Sequence, residues 1–264
     1  MSRRLTMLLA TLATSLAALV PLPAQAWDDP PGISFFYPLL TRRPVIEREV
    51  EFTVNHEKGQ DGRVTEAAAA LEFPILPRWQ VELEVPLIFL HEKERTAQGG
   101  IGDIELQTKV LVFDSIDPPA LVAVGVEGRL PTGSERRGLG GEAAIEPFIS
   151  AGVALGPFDV LAEIAYEWNL NSHVHGPREQ ELTAGAALGW RVHRKFTPLV
   201  ELTTVTQTHG SDDEHLVGRT QVYVTPGFNW RPLPGTTFRL GLELPVSAAR
   251  AFDYAFRSGF VIEF

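Results

Sequence analysis

The chain has 264 residues, 33 acidic against 23 basic side chains, a formal net charge of −10 and no cysteine. The acidic balance argues against nucleic-acid binding, which needs a basic footprint, and against a basic amphipathic helix lying on anionic lipid. Without cysteine, the fold is held by something other than cross-links.

The first residues read as a secretory signal. Arg3 and Arg4 form a positive n-region, Leu5 to Val20 an apolar run, and Pro21 and Pro23 end it. Ala24-Gln25-Ala26 supplies a small-x-small cleavage site, so residues 1–26 are expected to be a signal peptide. An uncleaved anchor is the weaker reading, because the run is short for a spanning helix. Residues 27–44 carry Pro30, Pro31, Pro38 and Pro44 among Ile33, Phe35, Phe36, Tyr37, Leu39 and Leu40. Prolines break regular structure. The segment reads as a plug entering a lumen, a contact for a periplasmic partner, or a loosely packed lead-in.

From residue 45 to 264 the dominant pattern has period two, which sets alternate side chains on opposite faces of a strand. Val81, Leu83, Val85, Leu87 and Phe89 alternate with Gln80, Glu82 and Glu84; Ile104, Leu106, Val110 and Val112 alternate with Glu105, Gln107 and Lys109. The same holds around Ile164 and around Leu242. Strands are predicted over 45–55, 63–73, 79–90, 101–113, 120–130, 142–155, 158–170, 180–192, 196–207, 219–231, 237–246 and 252–264. Ala67 to Ala70 also suits a helix. Most of these lengths let a tilted strand cross a bilayer. Short connections, such as Gly156-Pro157, alternate with longer charged ones, such as Pro131 to Gly141. Trp79, Trp190 and Trp230 sit beside short turns, and Tyr166 and Trp168 near the opposite strand end. These are the signs of an all-β, transmembrane, antiparallel up-and-down β-barrel of about twelve strands, with interfacial aromatic girdles and both termini in the periplasm. In lipid every backbone polar group needs an internal partner, and a closed barrel supplies one. Outer-membrane lipid is then the first expected partner.

The last strand places Tyr254, Phe256, Phe260 and Ile262 on one face and ends in Phe264. That row resembles the C-terminal strand read by the barrel-assembly machinery, an expected partner. A wider resemblance, from about Gly62 onward, is to the outer-membrane family named for the meta-cleavage pathway of phenol degradation. It rests on Val85-Pro86-Leu87, on Gly99-Gly100-Ile101-Gly102-Asp103, on Leu130-Pro131-Thr132-Gly133 and on Phe264. The resemblance implies a barrel that passes small compounds, with aromatic ones a candidate class. It implies no catalytic residue.

The strand register predicts a lumen lined by Glu49, Glu51, Glu66, Glu82, Glu84, Glu105, Glu127, Glu146, Glu163, Glu167, Glu181, Glu201 and Glu243. The bases on that face are fewer: Lys109, Arg129, Arg191, Arg239 and Arg257. Rings of charge tune ion preference in water-filled pores, so a cation-preferring passage is one expectation. A paired, hydrogen-bonded wall filling is the other. His56, His91, His173, His175, His209 and His215 are expected in outer loops. His173 and His175, two residues apart, are candidate ligands for a borderline divalent metal. No nucleophile elbow and no complete phosphate loop occur, since Gly138 to Gly141 lacks the Lys-Ser/Thr that would follow. An enzyme and an organic cofactor are not expected. The two functions left open are a passive channel for small solutes and a closed structural or binding barrel, with metal capture at its outer loops.

Overall fold

The computed structural model describes residues 33, 35–60, 62–93, 96–170, 179–210 and 215–264. The signal-peptide segment and both candidate metal ligands, His173 and His175, lie outside these residues. Thirteen strand segments follow in order: β1 (Glu49–Lys58), β2 (Gly62–Leu76), β3 (Trp79–Glu92), β4 (Gln98–Ile101), β5 (Ile104–Ile116), β6 (Pro119–Leu130), β7 (Ala144–Leu155), β8 (Phe158–Asn169), β9 (Gln180–Trp190), β10 (Phe196–His209), β11 (Thr220–Trp230), β12 (Thr236–Pro245) and β13 (Tyr254–Glu263). All neighbours pair antiparallel. β1 pairs both β2 and β13, and β2 pairs β3, so the sheet closes on itself. β4 and β5 both pair β3 and form one wall strand interrupted at Gly102-Asp103. The architecture is a closed twelve-stranded up-and-down barrel.

The alternation of the sequence is the inside–outside alternation of the wall. Leu83, Leu106 and Ile164 are exposed on the outer face, while their chain neighbours point inward. Ala67 to Ala70 is strand, paired with β1 and β3 on its two sides. Tertiary pairing overrides the helix preference of alanine there. The outer belt is capped by aromatic rings. Phe158 and Trp190 stack at 6.1 Å beside the short turns, and Tyr166 and Trp168 lie 4.5 Å apart near the other end. Phe256, Phe260 and Ile262 face outward on β13, the strand that completes the ring, and Phe264 is half exposed just past its end.

Several strands run further than the sequence suggests. His56 and His91 lie within β1 and β3, and His209 closes β10. These three therefore stand on wall strands that continue past the apolar belt, which corrects their assignment to loops. His193 and His215 lie in turns.

Residues 35–47 enter the barrel and lie against its inner wall. Ile33, Phe35, Phe36, Val45 and Ile46 form an apolar cluster with Leu111, Leu121, Leu161, Ala187 and Leu199, all inward-facing wall residues. Inward glycines receive the segment: a Cβ at Gly189 would collide with the Phe36 ring, and one at Gly241 with Leu39. The bulk that the wall omits is thus supplied by the N-terminal segment.

Candidate functional site: an acidic lumen with a seated segment

The inner wall has two zones. Toward the short turns it is apolar, where it meets Phe35, Phe36, Val45 and Ile46. Beyond that lies a cavity of about 410 Å³, lined by Glu51, Glu66, Glu82, Glu84, Glu105, Glu127, Glu146 and Glu163, with Lys109 and Arg239 among the bases. Residues 37–43 form part of its lining.

Many of the carboxylates hold the segment. Glu201 is fully buried and accepts the backbone N–H groups of Leu39, Leu40 (3.1 Å) and Thr41 (2.9 Å), and the Thr41 hydroxyl (2.9 Å). Asn229 brackets Tyr37: its Oδ1 accepts the backbone N–H and its Nδ2 donates to the carbonyl, both at 2.7 Å. Arg239 donates to the Pro38 carbonyl, Lys109 to the Arg43 carbonyl (3.0 Å), and the Glu47 N–H to Gln80 (2.7 Å). An irregular backbone inside a barrel has no strand partner, so wall side chains must satisfy its polar groups.

The segment also brings cations. Arg42 reaches Glu127 (2.8 Å), Glu146 (2.6 Å) and Glu163 (3.5 Å) and lies over the Phe148 ring. Burial alone would favour its neutral form, but Glu127, Glu163 and Glu146 outweigh it and raise its pKa above the usual value. Arg43 pairs with Glu47 and stacks 3.7 Å over Tyr37. Burial, with Glu47 beside it, pushes the Tyr37 phenol well above its ordinary range. It stays protonated, with its one hydroxyl proton shared between the carboxylates of Glu49 (2.7 Å) and Glu263 (2.8 Å).

The remaining wall charges pair with one another. Arg129 sits between Glu105 (3.4 Å) and Glu167 (2.6 Å), Arg257 between Glu243 (2.5 Å) and Glu57 (2.7 Å), and Arg239 meets Glu51. Glu82 accepts from Gln107, and Glu181 from Gln207 at 2.8 Å. Glu66 and Glu84 face the cavity. Arg191 belongs to the rim and not to the lumen. β9 ends at Trp190, and the guanidinium of Arg191 is 44% exposed on the next turn, 3.4 Å from Asp159. Glu47, Glu49 and Glu72 bring three carboxylate oxygens within 4.8 Å of one another. Arg43 at Glu47 and Lys109 at 3.9 Å from Glu72 already supply positive charge to that group.

Sequence reasoning missed Asp103 as a structural centre. Its carboxylate sits at the break between β4 and β5 and accepts the N–H groups of Gly133 (2.7 Å), Gly141 and Glu142 (2.9 Å). It thereby ties the β6–β7 connection down, with Leu139 buried against Gly100. Gly140, at φ 120°, passes so close to the Asp103 carboxylate that a Cβ has no room. The signal was Gly-Asp at a strand opening matched with the glycines of 138–141.

Residues 47–258 match the family described as "Putative MetA-pathway of phenol degradation". Among solved structures, the barrel is similar to an outer membrane channel from Pseudomonas putida F1 at TM-score 0.69 and 12% identity, covering 88% of this chain and 100% of that one. It is similar to the NanC porin at TM-score 0.56 and 10% identity, covering 81% and 98%. A KdgM porin in complex with disordered oligogalacturonate aligns at TM-score 0.54 and 10% identity, covering 81% and 99%. At these identities the likeness establishes the fold. A comparison with curated protein sequences finds no match.

Proposed function

The chain belongs to that phenol-degradation family, and we propose that it is an outer-membrane channel for small polar solutes, with a preference for cations. The observation that carries this reading is the carboxylate-lined cavity inside a closed barrel. A low-dielectric wall focuses the field of such an acid excess onto a passing ion more than an open surface would. Structural neighbours named as channels and porins support the passage of solutes. The lining favours charged or hydroxylated solutes over aromatic ones, because Tyr37 is the one aromatic ring among its described residues. The apolar outer belt and aromatic girdles support an outer-membrane location, with the short turns in the periplasm.

A second reading, a closed binding barrel, is favoured by the dense bonding of residues 37–43 to the wall. Planar-bilayer recording separates the two. The channel reading expects discrete current steps from the native chain, enlarged when Glu201→Ala loosens the segment. Silence from both proteins, correctly inserted, would leave the closed barrel as the function.

A further inference from the structure

The outer wall carries a second charged feature, on the lipid side. At the far end of the strands from the short turns, Tyr254, Lys58, Arg63 and His91 lie directly opposite one another across β13, β1, β2 and β3. They form one cross-strand row, and neighbouring strands stand ~4.8 Å apart. Lys58, Arg63 and His91 are exposed, with the Lys58 ammonium 5.9 Å from the centre of the Tyr254 ring. Lys93 continues the β3 side, and the whole borders a recess of about 480 Å³ with Glu92 at its margin. The row two residues nearer mid-membrane is Phe256, His56, Thr65 and Phe89; below it come Ser258, Val54, Ala67 and Leu87. The cations therefore stand directly on top of the apolar belt.

Like charges set opposite each other on neighbouring strands repel. The nearby Glu57 does not relieve them, because it turns into the lumen and pairs with Arg257 at 2.7 Å. Among the described residues, other strands carry uncharged groups at this height, such as Thr206 bonded to Thr220 and the tilted ring pair of Tyr166 and Trp168. Among the described wall strands this row of positive charge spans β1, β2 and β3, at headgroup height, over exposed aliphatic and aromatic surface that acyl chains can cover.

We propose that Lys58, Arg63 and His91 form a binding site for the phosphate of an outer-leaflet lipid. The guanidinium of Arg63 can hold two phosphate oxygens in its planar fork, and Lys58 adds a point charge one strand away. The acyl chains would lie along Val54, Phe89 and Phe256. A cation close to an anionic lipid surface contributes about fivefold in affinity, so two contribute roughly twenty-fivefold. The inference rests on the reading of this barrel as an outer-membrane protein.

The test uses the full chain in phosphatidylcholine nanodiscs, with insertion checked by heat-modifiable mobility. Retention of lipid A, of dephosphorylated lipid A and of inorganic phosphate is read by native mass spectrometry. The site predicts that lipid A is retained and its dephosphorylated form is not. Retention falls by more than tenfold in Lys58→Gln/Arg63→Gln and is kept in Lys58→Arg. Inorganic phosphate at the same concentration leaves lipid A in place. Retention that ignores the phosphate, survives the double replacement or is displaced by free phosphate overturns the lipid site alone. A chain that fails to insert overturns the outer-membrane reading as well.

Discussion

Replacing Glu201 with Ala removes the acceptor that three backbone N–H groups and one hydroxyl of residues 39–41 share. A buried donor left without a partner costs about 1–3 kcal/mol. Water entering from the cavity recovers part of this for the three amides, leaving a loss of about 3 kcal/mol for the seated state. That corresponds to roughly a 100-fold larger population with the segment released. The chain lacks cysteine, so one introduced thiol reports without background. Val45→Cys places it in the buried apolar cluster at small change of volume. Maleimide labelling in isolated membranes should be slow in the single variant and about 100-fold faster when Glu201→Ala is added. Glu201→Gln, which keeps one acceptor oxygen, should fall between. Equal labelling rates in all three proteins would refute the claim that Glu201 anchors the segment.

Three further outcomes follow from the same geometry. Gly189→Val should push Phe36 off the wall at a cost of about 1–3 kcal/mol, read by the same thiol probe, and Phe36→Ala should restore protection; absence of rescue would mean the contact is not the cause. Asp103→Ala should free the 131–143 connection and make it sensitive to added protease in intact cells, with the barrel still heat-modifiable; unchanged proteolysis would show that other contacts hold it. Deleting Phe264 should lower the yield of assembled barrel and send the chain to periplasmic degradation, as a terminal aromatic row read by the assembly machinery requires; a normal yield would dissociate Phe264 from assembly.

The strands were legible because a wall with lipid on one side and water on the other imposes period two on every pass. Leu83 against Glu82 and Ile164 against Glu163 are instances. The strand break at Gly102-Asp103 was not legible as such, because it depends on a carboxylate bonding a loop thirty or more positions away. For the N-terminal segment the sequence left a plug, a partner contact and a lead-in open together, since prolines erase any period there. A trace did exist on the partner side. Leu111, Leu121, Leu161 and Leu199 are apolar, and Gly189 and Gly241 small, on the face that otherwise carries acids. Inward apolar positions in a wet lumen need a cover. Arg191 was misplaced for a local reason: the pattern does not mark where β9 stops, and one residue past Trp190 the chain has already turned. Many of the acids were located by register, but Glu57, Glu72 and Asp159 were not, and the pairing was hidden because Arg42 comes from a segment without a register.

The central claim is that the lumen's carboxylates act on passing ions. It is tested most directly by the reversal potential of the purified chain in a planar bilayer under a potassium chloride gradient. The acidic cavity predicts a cation-selective value that moves toward anion preference when Glu82, Glu84 and Glu105 are replaced together by Gln. An anion-selective native pore, or a reversal potential unmoved by the triple replacement, would contradict it.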